Sequence, residues 1–250
     1  MKLHTPFEPW HEHIAIDLPG ARAVFTSRHG GFSKGPFATL NLGRLTADEP
    51  EAVRRNRIRL QERAGGRLAM IRQVHGPRVL RLDEDARQPT DVTGPHLELD
   101  EADGQATSRS GVAPMVLVAD CLPIVVAGGG AVALLHAGWR GLDSGIVDEG
   151  VRAVAEIGDG GPLEAAIGPA AGACCYEVGE EVHSAFASYG GRARRGDNLD
   201  LKAIAREQLE RAGVARVHDA RLCTICQTDF FSHRRDRGVT GRQAGVAWLT

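Results

Sequence analysis

The stretch from Asp120 to Arg140 constrains this chain more than any other. Two apolar runs, Leu122 to Ala127 and Ala131 to Leu135, flank the triple glycine Gly128-Gly129-Gly130. A Gly-Gly pair supplies the positive φ angles of a two-residue hairpin loop, so the segment is predicted to be a β-hairpin. With Gly128 and Gly129 as the loop residues, Ala127 pairs with Gly130 and Cys121 stands opposite His136. Directly opposite residues share a face, with Cβ atoms about 4.5–5.5 Å apart. That is close enough for a thiolate and an imidazole to bind one metal ion. A three-residue loop would shift the register by one and separate them.

Around the hairpin, pattern and punctuation predict the other elements. Ile14 to Ile16 and Ala21 to Phe25 read as short strands about a Pro19-Gly20 turn. They lead into Thr26 to Pro36, a loop rich in glycine and cations. Backbone amides with Arg28, His29 or Lys34 could converge there on a phosphate, and a plain surface loop fits as well. Thr46-x-x-Glu49 has the form of a capping box, with Pro50 in the first turn of a helix running to about Ala64. The arginines of that helix (54, 55, 57, 59 and 63) read as a solvated face. Leu68 to Val74 is predicted to be a strand delivering His75-Gly76-Pro77 at its end, and Arg78 to Leu82 the next strand. Residues 84 to 99 are acidic and proline-bearing, the composition of a long loop.

Beyond the hairpin, Leu142, Ile146, Val147, Val151 and Val154 follow helical spacing up to Gly158. Arg140 is thereby placed at a helix N-terminus, set either for an anionic ligand or for a nearby acid. Leu163 to Ile167 is the next strand, Tyr176 to His183 begins a short helix, and Asp200 to Ala212 is an amphipathic helix closed by Gly213. Gln243 to Leu249 is the last strand. The cations before it, between Phe230 and Arg242, form a possible second anion contact.

A chain of 250 residues without a linker is expected to be one domain, residues 1–250. Its formal net charge of −2 offers no global field for nucleic acid or a membrane surface. No apolar run reaches the roughly 20 residues of a membrane-crossing helix, and the first residues lack a signal peptide's apolar core. The cytoplasm is the expected compartment. The 5 cysteines are an odd count and no disulfide framework, so they are thiols or ligands. Cys174-Cys175 read as buried small apolar residues. Cys223-x-x-Cys226 has the spacing of half a zinc knuckle or a redox pair, and without a second paired unit it is assigned a structural role.

His75, Cys121 and His136 form a trio that geometry can bring together, two by hairpin pairing and the third from another strand end. Three protein ligands leave one coordination position open, the pattern of a catalytic zinc site. Copper would also bind such donors. A blue-copper centre adds an axial methionine, however, and a multicopper centre needs several His-x-His pairs, whereas here only His11-Glu12-His13 has that form.

The motifs Arg28-His-Gly-Gly-Phe-Ser-Lys-Gly-Pro-Phe-Ala-Thr-Leu-Asn-Leu-Gly43, Gln73-Val-His-Gly76, Asp103-Gly-Gln-Ala-Thr107, Ala119-Asp-Cys-Leu-Pro123, Leu135-His-Ala-Gly-Trp-Arg-Gly141, Ile167-Gly-Pro169, Tyr176-Glu-Val-Gly179 and Phe230-Phe-Ser-His-Arg-Arg-Asp236 run in order along nearly the whole chain. Together they resemble the laccase-domain purine nucleoside phosphorylase family. Older names for that family are multicopper polyphenol oxidase and, for some bacterial members, peptidoglycan editing factor.

The resemblance implies an α/β (α+β) fold, a single layered sandwich of mixed sheets with flanking helices. It implies zinc on His75, Cys121 and His136, with copper possible in vitro. The implied activity is phosphorolysis of adenosine, inosine and methylthioadenosine together with adenosine deamination, so the partners are a small nucleoside and phosphate. The older names imply two alternatives, a copper-dependent polyphenol oxidase and a hydrolase that edits peptidoglycan precursors. A non-catalytic metal-binding protein is a third. Arg28, Asn41 and Arg140 are carried over as catalytic-pocket residues, with the two arginines on phosphate, and Gln73 and Tyr176 as substrate-binding. The match thins at Ala170 to Cys175, where small residues precede Tyr176.

Overall fold

The computed structural model describes residues 2–82 and 99–250. The acidic loop expected at 84–99 lies, but for its last residue, outside the described residues. In chain order the elements are β1 (Glu8–Trp10), β2 (His13–Leu18), β3 (Ala21–Phe25), α1 (Pro50–Arg63), β4 (Arg67–Ala69), β5 (Val79–Arg81), β6 (Gly104–Thr107) and β7 (Val112–Val118). The hairpin strands β8 (Leu122–Gly128) and β9 (Ala131–Ala137) follow, then α2 (Trp139–Asp143), α3 (Ile146–Ile157), β10 (Glu164–Ile167) and α4 (Glu180–Ala185). The small strands β11 (Arg194–Arg195) and β12 (Asn198–Leu199), α5 (Leu201–Arg211), β13 (Arg216–Asp219) and β14 (Gln243–Leu249) complete the order.

Two 6-stranded mixed sheets form, in the orders β1-β2-β3-β14-β7-β4 and β13-β10-β8-β9-β6-β5. The hairpin is central to the second, and its sequence shows why its apolar runs are continuous instead of alternating. Leu122, Ile124 and Val126 of β8, with Ala133 and Leu135 of β9, pack against Ile146, Val147 and Val154 of α3 and Ile204 of α5. Their neighbours Val125, Ala127, Val132 and Leu134 point the other way, into a core shared with Phe25, Val116 and Ala247 of the first sheet. The outer face of the first sheet is covered by α1 through Leu60. The layers are therefore helix, sheet, sheet, helices. The sheets approach closely: a Cβ on Gly245 of β14 would lie 3.0 Å from Pro123 and 3.2 Å from Leu134. No helix of the described residues is long and apolar enough to cross a membrane.

The hairpin loop differs from the predicted one by one step. Gly128 pairs with Ala131, and the loop residues are Gly129 (φ +56°) and Gly130 (φ +72°). Pro123, not Cys121, therefore stands opposite His136. Both flanks move together, so the offset is two residues and parity is kept. Cys121, just ahead of β8, still shares a face with His136, now as a diagonal neighbour.

Other departures have local causes. The helix expected from Leu142 to Gly158 is broken at Gly145 (φ +91°) into α2 and α3. The strand expected over Leu68 to Val74 ends at Ala69, because the following backbone turns to wrap a carboxylate. The capping box is not made: Glu49 caps α1 without a side-chain bond, and Thr46 Oγ1 instead donates to the Gly43 carbonyl. Arg57 is buried rather than solvated, its Nε donating to the Leu42 carbonyl at 2.9 Å. By contrast, the amphipathic helix expected from Asp200 forms as α5, and Asp200 caps it by accepting from Ala203 N at 3.0 Å.

Candidate functional site

Asp103, fully buried just before β6, organises one side of the site. Its carboxylate accepts backbone N–H bonds from Val74 (3.1 Å), His75 (2.9 Å) and Gly76 (2.7 Å). Three successive donors curl the chain into a nest, which holds His75 at φ +63°, a conformation uncommon outside glycine. The same carboxylate meets His136 Nδ1 at 2.8 Å. With Nδ1 engaged, Nε2 of His136 is the nitrogen left to face the site. One carboxylate thus aims both histidines, whose rings meet edge to face with centroids 4.7 Å apart.

Cys121 completes the group. Its Sγ lies 4.0 Å from His75 Nε2, and the ligand atoms of His75, Cys121 and His136 all lie within 4.8 Å of one another. Gly138 makes room for them, since a Cβ there would be 3.1 Å from both Cys121 Sγ and His75 Cδ2. Burial works against a Cys121 thiolate, but His136 and then His75 outweigh it and draw the thiol down to about 6. Burial likewise opposes charge on His136, yet Cys121 and Asp103 push that imidazole up to about 9. Two imidazoles and a thiol that ionises near neutral pH are a donor set that suits a metal ion.

A second buried carboxylate fixes the backbone beside Cys121. Asp120 (φ +90°) accepts from Thr224 Oγ1 at 2.6 Å, Ser232 Oγ at 3.1 Å and Arg234 N at 2.8 Å. The 223–235 segment is tied by these bonds to the start of β8. Tyr176 packs here, with the Arg234 guanidinium 5.0 Å over its ring; burial first, and then the nearby Cys121 charge, raise its phenol. Burial lowers the Arg242 guanidinium, while Cys121 and Asp120 pull it back up, so this cation also borders the site.

Comparison with known proteins now identifies the chain. Residues 22–250 match the family described as multi-copper polyphenol oxidoreductase laccase. The chain belongs to this family. A purine nucleoside phosphorylase of Xylella fastidiosa (strain Temecula1) is 40% identical over 92% of this chain and 93% of that protein. The Escherichia coli K12 purine nucleoside phosphorylase YfiH is 36% identical over 92% and 94%. Among solved structures, YlmD from Geobacillus stearothermophilus superposes with a TM-score of 0.86 at 34% identity, covering 97% of this chain and 98% of that one. The Bacillus licheniformis hypothetical protein YfiH reaches 0.89 at 28% identity, covering 99% and 100%. The layered α/β sandwich with mixed sheets is the fold that this chain shares with these solved structures.

Within this laccase-family fold the sequence-predicted pocket residues occupy distinct places. Arg140, in the first turn of α2 two residues after Gly138, is exposed and stacks 4.3 Å from the Trp139 ring. Among the described residues no acid pairs with it. Arg28 donates from Nε to the Ala38 carbonyl at 2.6 Å and lies 4.7 Å over the Phe231 ring. Asn41 is wholly buried and saturated: Nδ2 donates to Thr46 Oγ1 and Asp48 Oδ2, and Oδ1 accepts from the backbones of Gly43 and Arg242. It reaches the site through Arg242. Gln73 spends its amide on β7, donating to the Leu117 carbonyl and accepting from its N–H, both at 2.8 Å.

Asp103 and Asp120 were assigned no role from sequence, and Arg242 only a possible anion contact among the cations that precede the last strand. A usable signal existed for the first two, because a ligating histidine needs a carboxylate or carbonyl on its second nitrogen and a buried aspartate is rarely idle. The largest surprise is at the other cysteines. Cys174, exposed rather than buried, and Cys175 converge with Cys223 and Cys226, supplying the second pair that the sequence seemed to lack.

Proposed function

We propose that this chain is a zinc-dependent purine nucleoside phosphorylase acting on adenosine, inosine and methylthioadenosine, and that the same site deaminates adenosine. The observation that carries the reading is the Asp103 arrangement: one buried carboxylate aims two imidazoles beside a thiol that ionises readily. Relatives of 36–40% identity that bear the phosphorylase name supply the substrate class. His75, Cys121 and His136 would hold zinc, leaving one position open. When bound, zinc would supply Lewis acidity, polarising a substrate atom or lowering the pKa of water toward about 7.

The remaining steps belong to the chain's own residues. Arg28 and Arg140 hold phosphate, and Arg140 is suited to this by its exposed guanidinium and lack of an acid partner among the described residues. A phosphate oxygen attacks ribose C1′, the glycosidic bond breaks, and the purine leaves with the electron pair and takes up a proton. Tyr176 and Gln73 shape the wall, and Asn41 fixes the loop carrying Arg242. Deamination uses water in place of phosphate: attack at purine C6 expels ammonia.

Copper chemistry is not part of this proposal. Among the described residues the metal-capable groups are the His-Cys-His trio and the four-cysteine cluster, and neither is the histidine-rich array of a multicopper oxidase. By the Irving–Williams order the trio will take free copper in a test tube. Any phenol oxidation should therefore be slow and vanish when copper is replaced by zinc.

Metal analysis and product chromatography on one sample test the proposal. Zinc-loaded protein with adenosine should yield adenine and ribose 1-phosphate in phosphate buffer and inosine without phosphate. No product in either buffer sinks it.

A further inference from the structure

Two loops far apart in sequence place four sulfurs together outside the site described above. Cys174 and Cys175 lie in the turn before Tyr176, and Cys223 and Cys226 frame a turn after β13. Cys175 Sγ is 3.0 Å from Cys226 Sγ, Cys174 Sγ is 3.4 Å from Cys226 Sγ and 3.6 Å from Cys175 Sγ, and all four sulfurs lie within 4.8 Å of one another. A tetrahedral zinc with bonds of about 2.3 Å sets its sulfurs about 3.8 Å apart along each edge. The three closest separations lie somewhat below that edge, so the sulfurs need only small outward shifts to receive an ion. All four cysteines are free thiols.

The backbone is also arranged for thiolates. Gly172 N donates to Cys223 Sγ at 3.2 Å, and the Cys226 N–H faces the same sulfur. Backbone donors of this kind stabilise a ligating sulfur's negative charge. Gly172 has no room for a side chain either: a Cβ would be 3.1 Å from Cys223 Cβ and 3.2 Å from Cys174 Sγ.

We propose that Cys174, Cys175, Cys223 and Cys226 form a second, structural zinc site, tetrathiolate and coordinatively closed. With four protein ligands it has no open position, so it joins loops and does no chemistry. What it joins borders the first site. Tyr176 follows Cys175 directly, and Thr224, inside the Cys223–Cys226 turn, holds Asp120. The two loops otherwise meet through a short bridge, Ala170 beside Cys223, with Thr224 N donating to the Ala170 carbonyl at 3.0 Å. Zinc here would add a clamp to the wall behind Cys121, beside the three hydrogen bonds that Asp120 accepts. Soft thiolates select zinc over hard cations such as magnesium or calcium.

The test is metal counting on the full chain expressed with zinc and purified under reducing conditions. The variant His75→Ala/Cys121→Ser should retain one zinc per chain, and Cys174→Ser/Cys226→Ser should lose one relative to wild type. Cobalt substitution of the first variant should give the intense thiolate-to-metal absorption of a four-sulfur site. Wild-type protein, which needs no variant to fold, provides an independent measurement: iodoacetamide labelling should find all four cysteines protected as a set and released together by chelator. The proposal is overturned if the trio variant carries no zinc, if cobalt there reports fewer sulfurs, if chelation leaves the labelling unchanged, or if mass spectrometry finds a Cys175–Cys226 disulfide.

Discussion

Cys121 and the four clustered cysteines are embedded in different ways. Cys121 sits at a strand end between two imidazoles, with Asp103 behind the histidines and Asp120 pinned by three donors beside it. Cys174 and Cys226 are exposed and lie among other sulfurs, and the Gly172 N–H beside them is directed at Cys223 Sγ. In the first region the fold's rigid layers set the ligand atoms, and histidines keep the charge low enough for an open position. In the second region the sulfurs themselves would define the geometry once an ion binds. Pre-organised side chains behind a donor set therefore mark a site for turnover, and a donor set supported only by its own loops marks a clamp.

Removing a ligand should give the largest contrast. Cys121→Ala or His136→Ala should lower phosphorolysis by well over about 100-fold, beyond what loss of an outer partner costs. Cys223→Ser should instead show first as a lower melting temperature, with kcat falling less. Equal kinetic damage from both would erase the distinction.

Asp103→Asn comes next. The amide cannot serve three N–H groups and His136 Nδ1 as the carboxylate does, so zinc affinity at the trio should drop roughly 10–100-fold. Competition with a chromogenic chelator reads this directly. Unchanged affinity would mean that Asp103 is only structural.

A subtler difference is chemical. In chelated protein at pH 7, iodoacetamide should label Cys121 ahead of Cys174 and Cys226. Against burial, His136 and His75 draw the Cys121 thiol down to about 6, so its thiolate predominates above that pH. Burial and then the Cys226 contact push Cys174 up to about 11, and the Cys175 thiol pushes Cys226 to about 11 as well, which keeps both protonated. Below pH 6 the preference should fade as Cys121 protonates. Peptide mapping across pH decides, and labelling of the exposed pair first at pH 7 would contradict the ranking.

The smallest effects should come from two glycines. Gly138→Ala presses on Cys121 and His75, and Gly172→Ala on Cys223 and Cys174, each needing shifts of a few tenths of an ångström. Each should weaken zinc at its own site by less than about tenfold and leave the other untouched. Titration of both variants by calorimetry would expose any cross-effect.

Much of the scaffold was legible because it is written in short-range periodicity. The final strand Gln243–Leu249 and helix Leu201–Arg211 follow the sequence pattern closely. Arg57 was misread because a helix stripe of arginines looks solvated, and only the chain crossing at Leu42 shows where one of them goes.

The sequence by itself determined that residues 120–140 form a hairpin, and the period of two along a strand put Cys121 and His136 on one face for either placement of a two-residue glycine loop. Its motifs determined the family. Tertiary structure alone decided the actual register, in which Pro123 opposes His136, because that choice rests on which loop glycines take positive φ and on packing against Gly245. It alone brought Asp103 under two histidines and Cys174 beside Cys226. Such partners are separated by tens of residues, and their meeting depends on how whole sheets stack, which no local pattern of side chains encodes.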